Sequence, residues 1–462
     1  MSLHISRGQL LRSAAAGLAG LSGLGALAAC TGGSRTGPGS PMLPAQAGGE
    51  FRAPRIPSPW GEESVKLQIV NKTGYANDKI SWLMYAKDYD GKFVHLTKNA
   101  AWELCKLADL AKAGPFKGYA DYNNPLAKSG VTEFTLPWAN SGVIYFCIDD
   151  QIKIGLNGTA ANVAVAAPAA QNPNDPNFQY LWDNIEFSFN PPGDANKNAN
   201  ITANTQLISK IALPISIKLV TKDGKTQEGG VVKPGGQKAM YDAFKKDPVF
   251  KQCVVTSKKT GRNLRVIGPS VAVDAPAVDV HSDGLKTYFD AYIAQCVKKY
   301  NSPKAAFTAK YEVNQKPVVF SCYFDDKRMV HVDAPKGAPS GVTSFTFGPL
   351  TSTSIWFCAG PGIPTAGYQV GIANIIFAAF NRGILLSQPA QPYCVESNFY
   401  QNAVGRNLWC KTIHDNFVAS KVYAFPYDDQ CGDFSSTISF AIPPWPNATP
   451  VTWTITLEPV DQ

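Results

Sequence analysis

Trp182-Asp183-Asn184-Ile185-Glu186-Phe187-Ser188-Phe189 is the stretch that sets the fold class. Ile185, Phe187 and Phe189 share one side of a two-residue period, and Glu186 and Ser188 share the other. Successive strand side chains point to opposite faces, so this is a strand with one face in a core and the other polar. Upstream, Val65-Lys66-Leu67-Gln68-Ile69-Val70-Asn71 alternates in the same way, and Lys79 to Ala86 and Gly142 to Ile148 also read as strands. Downstream, Leu207 to Val220 continues the pattern, with Pro214 as a break. Residues 61–225 are therefore expected to form a β-barrel or sandwich.

Beyond 225 the texture changes. Gly236 to Gln252 has helical spacing through Met240, Phe244 and Phe250, interrupted at Pro248. Between Ser282 and Tyr300 the residues Leu285, Tyr288, Phe289, Tyr292, Ile293 and Cys296 trace an apolar helical face. Ser282 or Asp283 can cap that helix, and Asn301-Ser302-Pro303 ends it. Residues 305–360 return to short strands, and Ala366 to Leu385 reads as a helix. Residues 226–435 are thus a mixed α/β domain. The tail, 436–462, alternates best at Val451 to Leu457 and is expected to rejoin the first domain. The fold class is mainly β with α/β, and a cleft between two such lobes is a natural ligand site.

The N-terminus carries export chemistry. Arg7 and Arg12 precede a short apolar run from Ser13 to Ala28, which closes on Leu27-Ala28-Ala29-Cys30. That tetrapeptide resembles the lipobox of bacterial lipoproteins, in which the leader is cut before a Cys that is then lipidated. Residues 1–29 are expected to be a signal peptide, Cys30 the lipidation site, and residues 30–60 a Gly/Pro-rich linker. The other reading is an ordinary secretory leader with a chance Cys. Either way the chain is expected to be exported, and the lipobox places it at the bacterial envelope, facing the periplasm or on the cell surface.

Ten cysteines leave nine once Cys30 is set aside, so disulfides are expected, at least one thiol stays free, and the pairing is open. There is no C-x-x-C pair and the five His are scattered, so neither a metal site nor a cofactor is expected. The net charge of +8 is spread along the 462 residues rather than gathered into a stripe, which argues against a nucleic-acid partner. The chain is expected to be a monomer.

Glycoside hydrolysis usually needs two carboxyl groups flanking the scissile bond, about 6.5–9.5 Å apart when configuration is inverted. Glu186 is the first candidate, because apolar neighbours on a strand can raise a carboxyl pKa and suit it to general-acid work. The alternative is a solvated outward face of a half-exposed strand.

The segment 182–189 resembles the strand of glycoside hydrolase family 64 that carries the general acid. Asn204-Thr205-Gln206-Leu207-Ile208-Ser209-Lys210-Ile211-Ala212-Leu213-Pro214-Ile215 resembles its next segment, in which an Asn-Thr pair precedes the second carboxylate. Tyr288 to Ile293, Ala379 to Leu385, Asn398-Phe399-Tyr400, His414 and Tyr423 to Asp429 resemble further blocks of the same family, in the same order. The resemblance spans roughly residues 65–460. It implies an inverting endo-β-1,3-glucanase on a thaumatin-like β-barrel or sandwich, with a mixed α/β domain framing a wide groove. It also implies β-1,3-glucan as the partner and Glu186 as the general acid.

At the position of the expected base the chain has Ser209, and a neutral hydroxyl does not hold the proton a base must take from water. Asp183 would face away from Glu186, Asp194 lies in a Pro/Gly/Asn-rich segment, and Asp428 and Asp429 belong to the closing block. Trp182, Ser188, Thr202, Asn204 and Thr205 are the candidate substrate-binding residues. Turn and edge-strand chemistry is the other explanation for the short polar groups, and core packing for Trp182 and Trp138. His414 reads as a satisfied structural histidine or a proton shuttle. The alternatives that remain are a glucanase, a glucan-binding lipoprotein that has lost turnover at Ser209, and a thaumatin-like interaction protein.

Overall fold

The computed structural model describes residues 65–461, apart from residues 89, 191–198, 206, 432–437 and 443–449. The leader 1–29, Cys30, the linker 30–60 and Asp194 lie outside the described residues.

Two sheets face each other across the main core. The first runs β14 (Thr226–Gly229), β13 (Ile215–Thr221), β23 (Pro450–Leu457), β1 (Val65–Asn71) and β6 (Thr132–Leu136). The C-terminal strand β23 sits inside it, parallel to β1 and antiparallel to β13. The second runs β22 (Ile438–Ile442), β11 (Ala199–Asn204), β10 (Leu181–Asn190), β7 (Ala139–Ile148), β2 (Ile80–Lys87), β3 (Phe93–Leu96) and β4 (Trp102–Leu104), with β5 (Asn124–Pro125) added on β2. Alternation decides which side chains enter the core: Val65, Leu67 and Ile69 from β1, Ile185, Phe187 and Phe189 from β10, and Trp453, Ile455 and Leu457 from β23. Phe187 meets Trp453 between the sheets with ring centroids 5.5 Å apart. Both sheets keep open edges among the described residues, so the architecture is a sandwich and the barrel alternative is not realised.

The second sheet is covered on its other face too. Leu83 and Tyr85 of β2, Val143, Tyr145 and Cys147 of β7 and Trp182 of β10 pack there against Cys105, Tyr122, Ile152, Ile154 and the hairpin of β8 (Gly155–Thr159) and β9 (Asn162–Ala166). This is why Ile80 to Ala86 is buried without alternation. Toward β11 the same face turns polar, with Glu186, Ser188, Thr202 and Asn204.

Two smaller sheets lie within residues 210–391. One is β12 (Lys210–Ile211), β16 (Asn263–Ile267) and β15 (Val254–Thr256); the other is β20 (Phe345–Phe347), β19 (Val330–Asp333), β18 (Lys316–Phe324), β17 (Phe307–Val313) and β21 (Ala390–Gln391). The helix Gly367–Asn381 is apolar on all sides and is buried from Val370 onward. The predicted helix 282–300 is divided into a 3₁₀ turn, Asp283–Thr287, and an α-helix, Asp290–Lys299. The division falls where the Phe289 N–H donates to Ser352 Oγ (2.8 Å). Cys394 and Cys431 form a disulfide, and the other seven described cysteines are buried thiols.

Candidate active site

Strand register fixes the geometry around Glu186. Glu186 lies opposite Asn204 on β11 and Val143 on β7, and Ser188 lies opposite Thr202. Glu186, Ser188 and Thr202 are half-buried and Asn204 is buried. Ser188 Oγ accepts from the Ser141 N–H (3.2 Å), close to where the β7–β10 register shifts. Thr202 Oγ1 and Asn204 Oδ1 are buried and have no hydrogen-bond partner among the described residues. Thr205 is buried, with Oγ1 packed so closely on Gly230 that a Cβ there would come within 2.5 Å.

Ser209 sits in the loop from β11 to β12, and its backbone is held firmly. Its carbonyl accepts from the Gly268 N–H (2.7 Å), and the Ile208 carbonyl accepts from Ser270 Oγ (3.1 Å). A Cβ at Gly268 would stand 2.2 Å from the Ile208 carbonyl oxygen, so only glycine admits this approach. The next residue, Lys210, places Nζ 2.8 Å from Asp183 Oδ1 and donates to Asn184 Oδ1 (2.5 Å). Asp183 Oδ2 accepts from the N–H groups of Ala212 (3.2 Å) and Leu213 (3.1 Å). The Asn184 N–H also donates to Oδ1 (2.8 Å), so Asp183 is committed to a buried ion pair and three peptide donors.

Trp182 corrects an expectation. It is 2 % exposed, its Nε1 donates to the Asn177 carbonyl (3.0 Å), and Lys210 Nζ and the Arg265 guanidinium lie 4.7 and 5.3 Å from its ring centroid. No ring face remains for a pyranose; Trp182 is a core residue that holds two cations. Trp138 is half-buried and stacked on Phe189 (4.0 Å).

The family model described as Beta-1,3-glucanase, glycoside hydrolase family 64, matches residues 63–452. The chain belongs to glycoside hydrolase family 64. It is 25 % identical over 295 residues to a glucan endo-1,3-beta-glucosidase of Cellulosimicrobium cellulans, covering 63 % of this chain and 48 % of that one. A second, from Arthrobacter sp. (strain YCWD3), is 25 % identical over 297 residues, again covering 63 % and 48 %. The chain therefore spans about half the length of the curated relatives it matches. Its fold is similar to that of a laminaripentaose-producing beta-1,3-glucanase solved with laminaritetraose (TM-score 0.68, 22 % identity, 86 % of this chain and 99 % of that one). It is also similar to a beta-1,3-glucanase domain from Clostridium beijerinckii (TM-score 0.67, 22 % identity, 87 % and 99 %).

In this family 64 chain the separate blocks around Arg382, Tyr400, His414 and Asp428 converge on one buried network. His414 Nε2 is 2.8 Å from Asp428 Oδ2, and His414 Nδ1 is 2.8 Å from the Tyr400 hydroxyl. Arg382 Nη2 donates to the Asp428 carbonyl (2.8 Å) and approaches its Oδ1 (3.5 Å), and the Ala424 N–H donates to Oδ2 (3.0 Å). The Arg382 guanidinium lies over Phe399 (4.8 Å) and Phe425 (5.6 Å). Both ring nitrogens of His414 are thus engaged by polar partners. All four polar residues are buried, which fits a structural histidine.

The closing block is fastened to the loop that carries Ser209. The Leu207 N–H donates to the Tyr423 carbonyl (2.8 Å), and Trp409 Nε1 donates to the Leu207 carbonyl (3.0 Å). Burial raises the Asp429 carboxyl above the ordinary aspartate range, against a hydrogen bond from Tyr423 that lowers it. Sequence spacing gave no sign of this junction, because its donors and acceptors are mostly backbone groups.

Proposed function

We propose that this chain hydrolyses β-1,3-glucan internally with inversion, and that Glu186 is its general acid. The observation that carries this is the polar row on the outer face of β10 and β11. Glu186 stands mid-strand opposite Asn204, beside Ser188 and Thr202, in a chain whose family model is a β-1,3-glucanase. The buried oxygens of Thr202 and Asn204 suit sugar hydroxyls, which supply the donors that buried acceptors require.

In the reaction, Glu186 gives its proton to the glycosidic oxygen as the C1–O bond breaks. A water oxygen bonds to C1 from the opposite face and yields its proton to a base. Ser209 occupies the expected place of that base, and Ser209 is also the observation that favours a second reading, a glucan-binding protein without turnover. We further propose a thaumatin-like sandwich, export with a lipid anchor at Cys30, and a monomer at the cell envelope.

The test is product analysis on soluble and particulate β-1,3-glucan with the wild type, Glu186→Gln and Ser209→Asp. Oligosaccharides released by the wild type and lost in Glu186→Gln support hydrolysis. Ser209→Asp is then expected to raise the rate by about 10²–10⁴-fold if that position is the base's. Retained binding with no release by the wild type or by Ser209→Asp would leave the binding protein.

A further inference from the structure

Behind Glu186, on the same face of the sheet, stand two buried tyrosines. Val143 of β7 lies opposite both Glu186 and Tyr85 of β2, so the three form one row across three strands. Tyr145 is two residues from Val143 on β7, diagonal to Glu186. Both phenols are buried and their rings stack at 5.8 Å. Their hydroxyl oxygens are 3.4 Å apart, longer than a strong O–H···O bond. One O–H···O contact between them uses only one of the two hydroxyl protons, whichever phenol donates.

We propose that the Tyr85–Tyr145 pair positions Glu186 and donates to the carboxylate that Glu186 becomes after giving up its proton. This rests on Glu186 being the general acid. A half-buried carboxylate formed in the acid step is costly beside apolar side chains, and a pre-placed hydroxyl offsets that cost without reorganisation. Burial first, and then the charge of Glu186 among smaller causes, holds both phenols protonated, with Tyr85 raised to about 12 and Tyr145 well above its ordinary value.

Other groups around the pair do not take over this part. His95 of β3 is in register with Tyr85, stacks on Tyr122 (3.9 Å), and is pushed toward the neutral form by burial. The Cys105 thiol is raised to about 12 by burial, and the Cys147 thiol is raised too. Asp109 accepts from the Tyr122 hydroxyl (2.7 Å), and Asp175, which also acts on Tyr145, accepts from the N–H groups of Ala169 and Asn177. Lys210 and Asp183 pair with each other. β11 and β22 carry no ionisable side chain.

The experiment is a carboxyl-carbon NMR titration of the full chain labelled at glutamate, with Glu186 assigned by its loss in Glu186→Gln. Tyr145→Phe and Tyr85→Phe each remove one oxygen and keep the ring. In at least one of them the Glu186 midpoint is expected to rise by about one pH unit. The basic limb of the rate profile on soluble glucan is expected to move with it, with kcat lower and KM unchanged. Hydrolysis with an unmoved midpoint in both folded variants would overturn the pair's role and leave the glucanase reading. A moved midpoint with no hydrolysis by the wild type would keep the coupling and sink the glucanase reading.

Discussion

Glu186 and Asn204 face each other across the β10–β11 pair, and Asn204 Oδ1 is buried without a partner among the described residues. A buried acceptor left open in this way costs about 1–3 kcal/mol, which a ligand donor recovers on binding. Asn204→Ala is expected to weaken binding of β-1,3-gluco-oligosaccharides about tenfold, or ~1.4 kcal/mol, with little loss of stability. Calorimetric titration reads this directly, and an unchanged Kd would remove Asn204 from the site.

The register that creates this face depends on one glycine. A Cβ at Gly142 would stand 2.2 Å from the Phe187 ring, which is itself wedged against Trp453 in the core. Gly142→Ala is expected to cost about 1–3 kcal/mol in urea unfolding, as overpacking does. Phe187→Leu in the same chain is expected to recover part of that loss. A neutral Gly142→Ala would mean that the strands have slack the geometry does not show.

Much of this was legible in residues 182–189. Alternation alone separated Ile185, Phe187 and Phe189 from Glu186 and Ser188, and the sheet keeps that division. Trp182 was misread because a tryptophan beside Asp183 and Asn184 has the same one-dimensional context on a groove rim and in a core. Only the third dimension brings Lys210 and Arg265 onto its ring. The second layer over β2 and β7 was also hidden, since its members come from dispersed short segments between Cys105 and Val165. The helix expected from Ser282 to Tyr300 kept its apolar face and lost its continuity where the Phe289 N–H donates to Ser352 Oγ.

The Asp183–Lys210 pair anchors the backbone beside Ser209, with side chains only 7 % and 8 % exposed. Lys210→Met would strand a buried carboxylate, and a cost of about 3–5 kcal/mol is expected. The double variant Asp183→Asn with Lys210→Met is expected to regain a large part of it, because no unpaired charge is left. A double-mutant cycle on unfolding free energy measures the coupling. Additive single losses would show that the peptide donors of Ala212 and Leu213, rather than Lys210, hold Asp183 in place.

Asp429 gives a pH dependence whose sign follows from its surroundings. Burial raises its folded pKa, with the neighbouring Asp428 charge adding to the rise and Tyr423 opposing it. A carboxyl raised on folding contributes its full stability below the unfolded value of about 3.9 and loses it as pH climbs through the folded pKa. At neutral pH the native state therefore carries a charge it disfavours. Asp429→Asn keeps an acceptor for Tyr423 and removes the ionisation, so it is expected to melt higher than the wild type at neutral pH. That advantage is expected to shrink steadily on acidification and to vanish below the ordinary aspartate range. Paired melting curves from acid to neutral pH read the trend. A difference that stays flat across that window would mean that the Asp429 carboxylate is already compensated in the folded state.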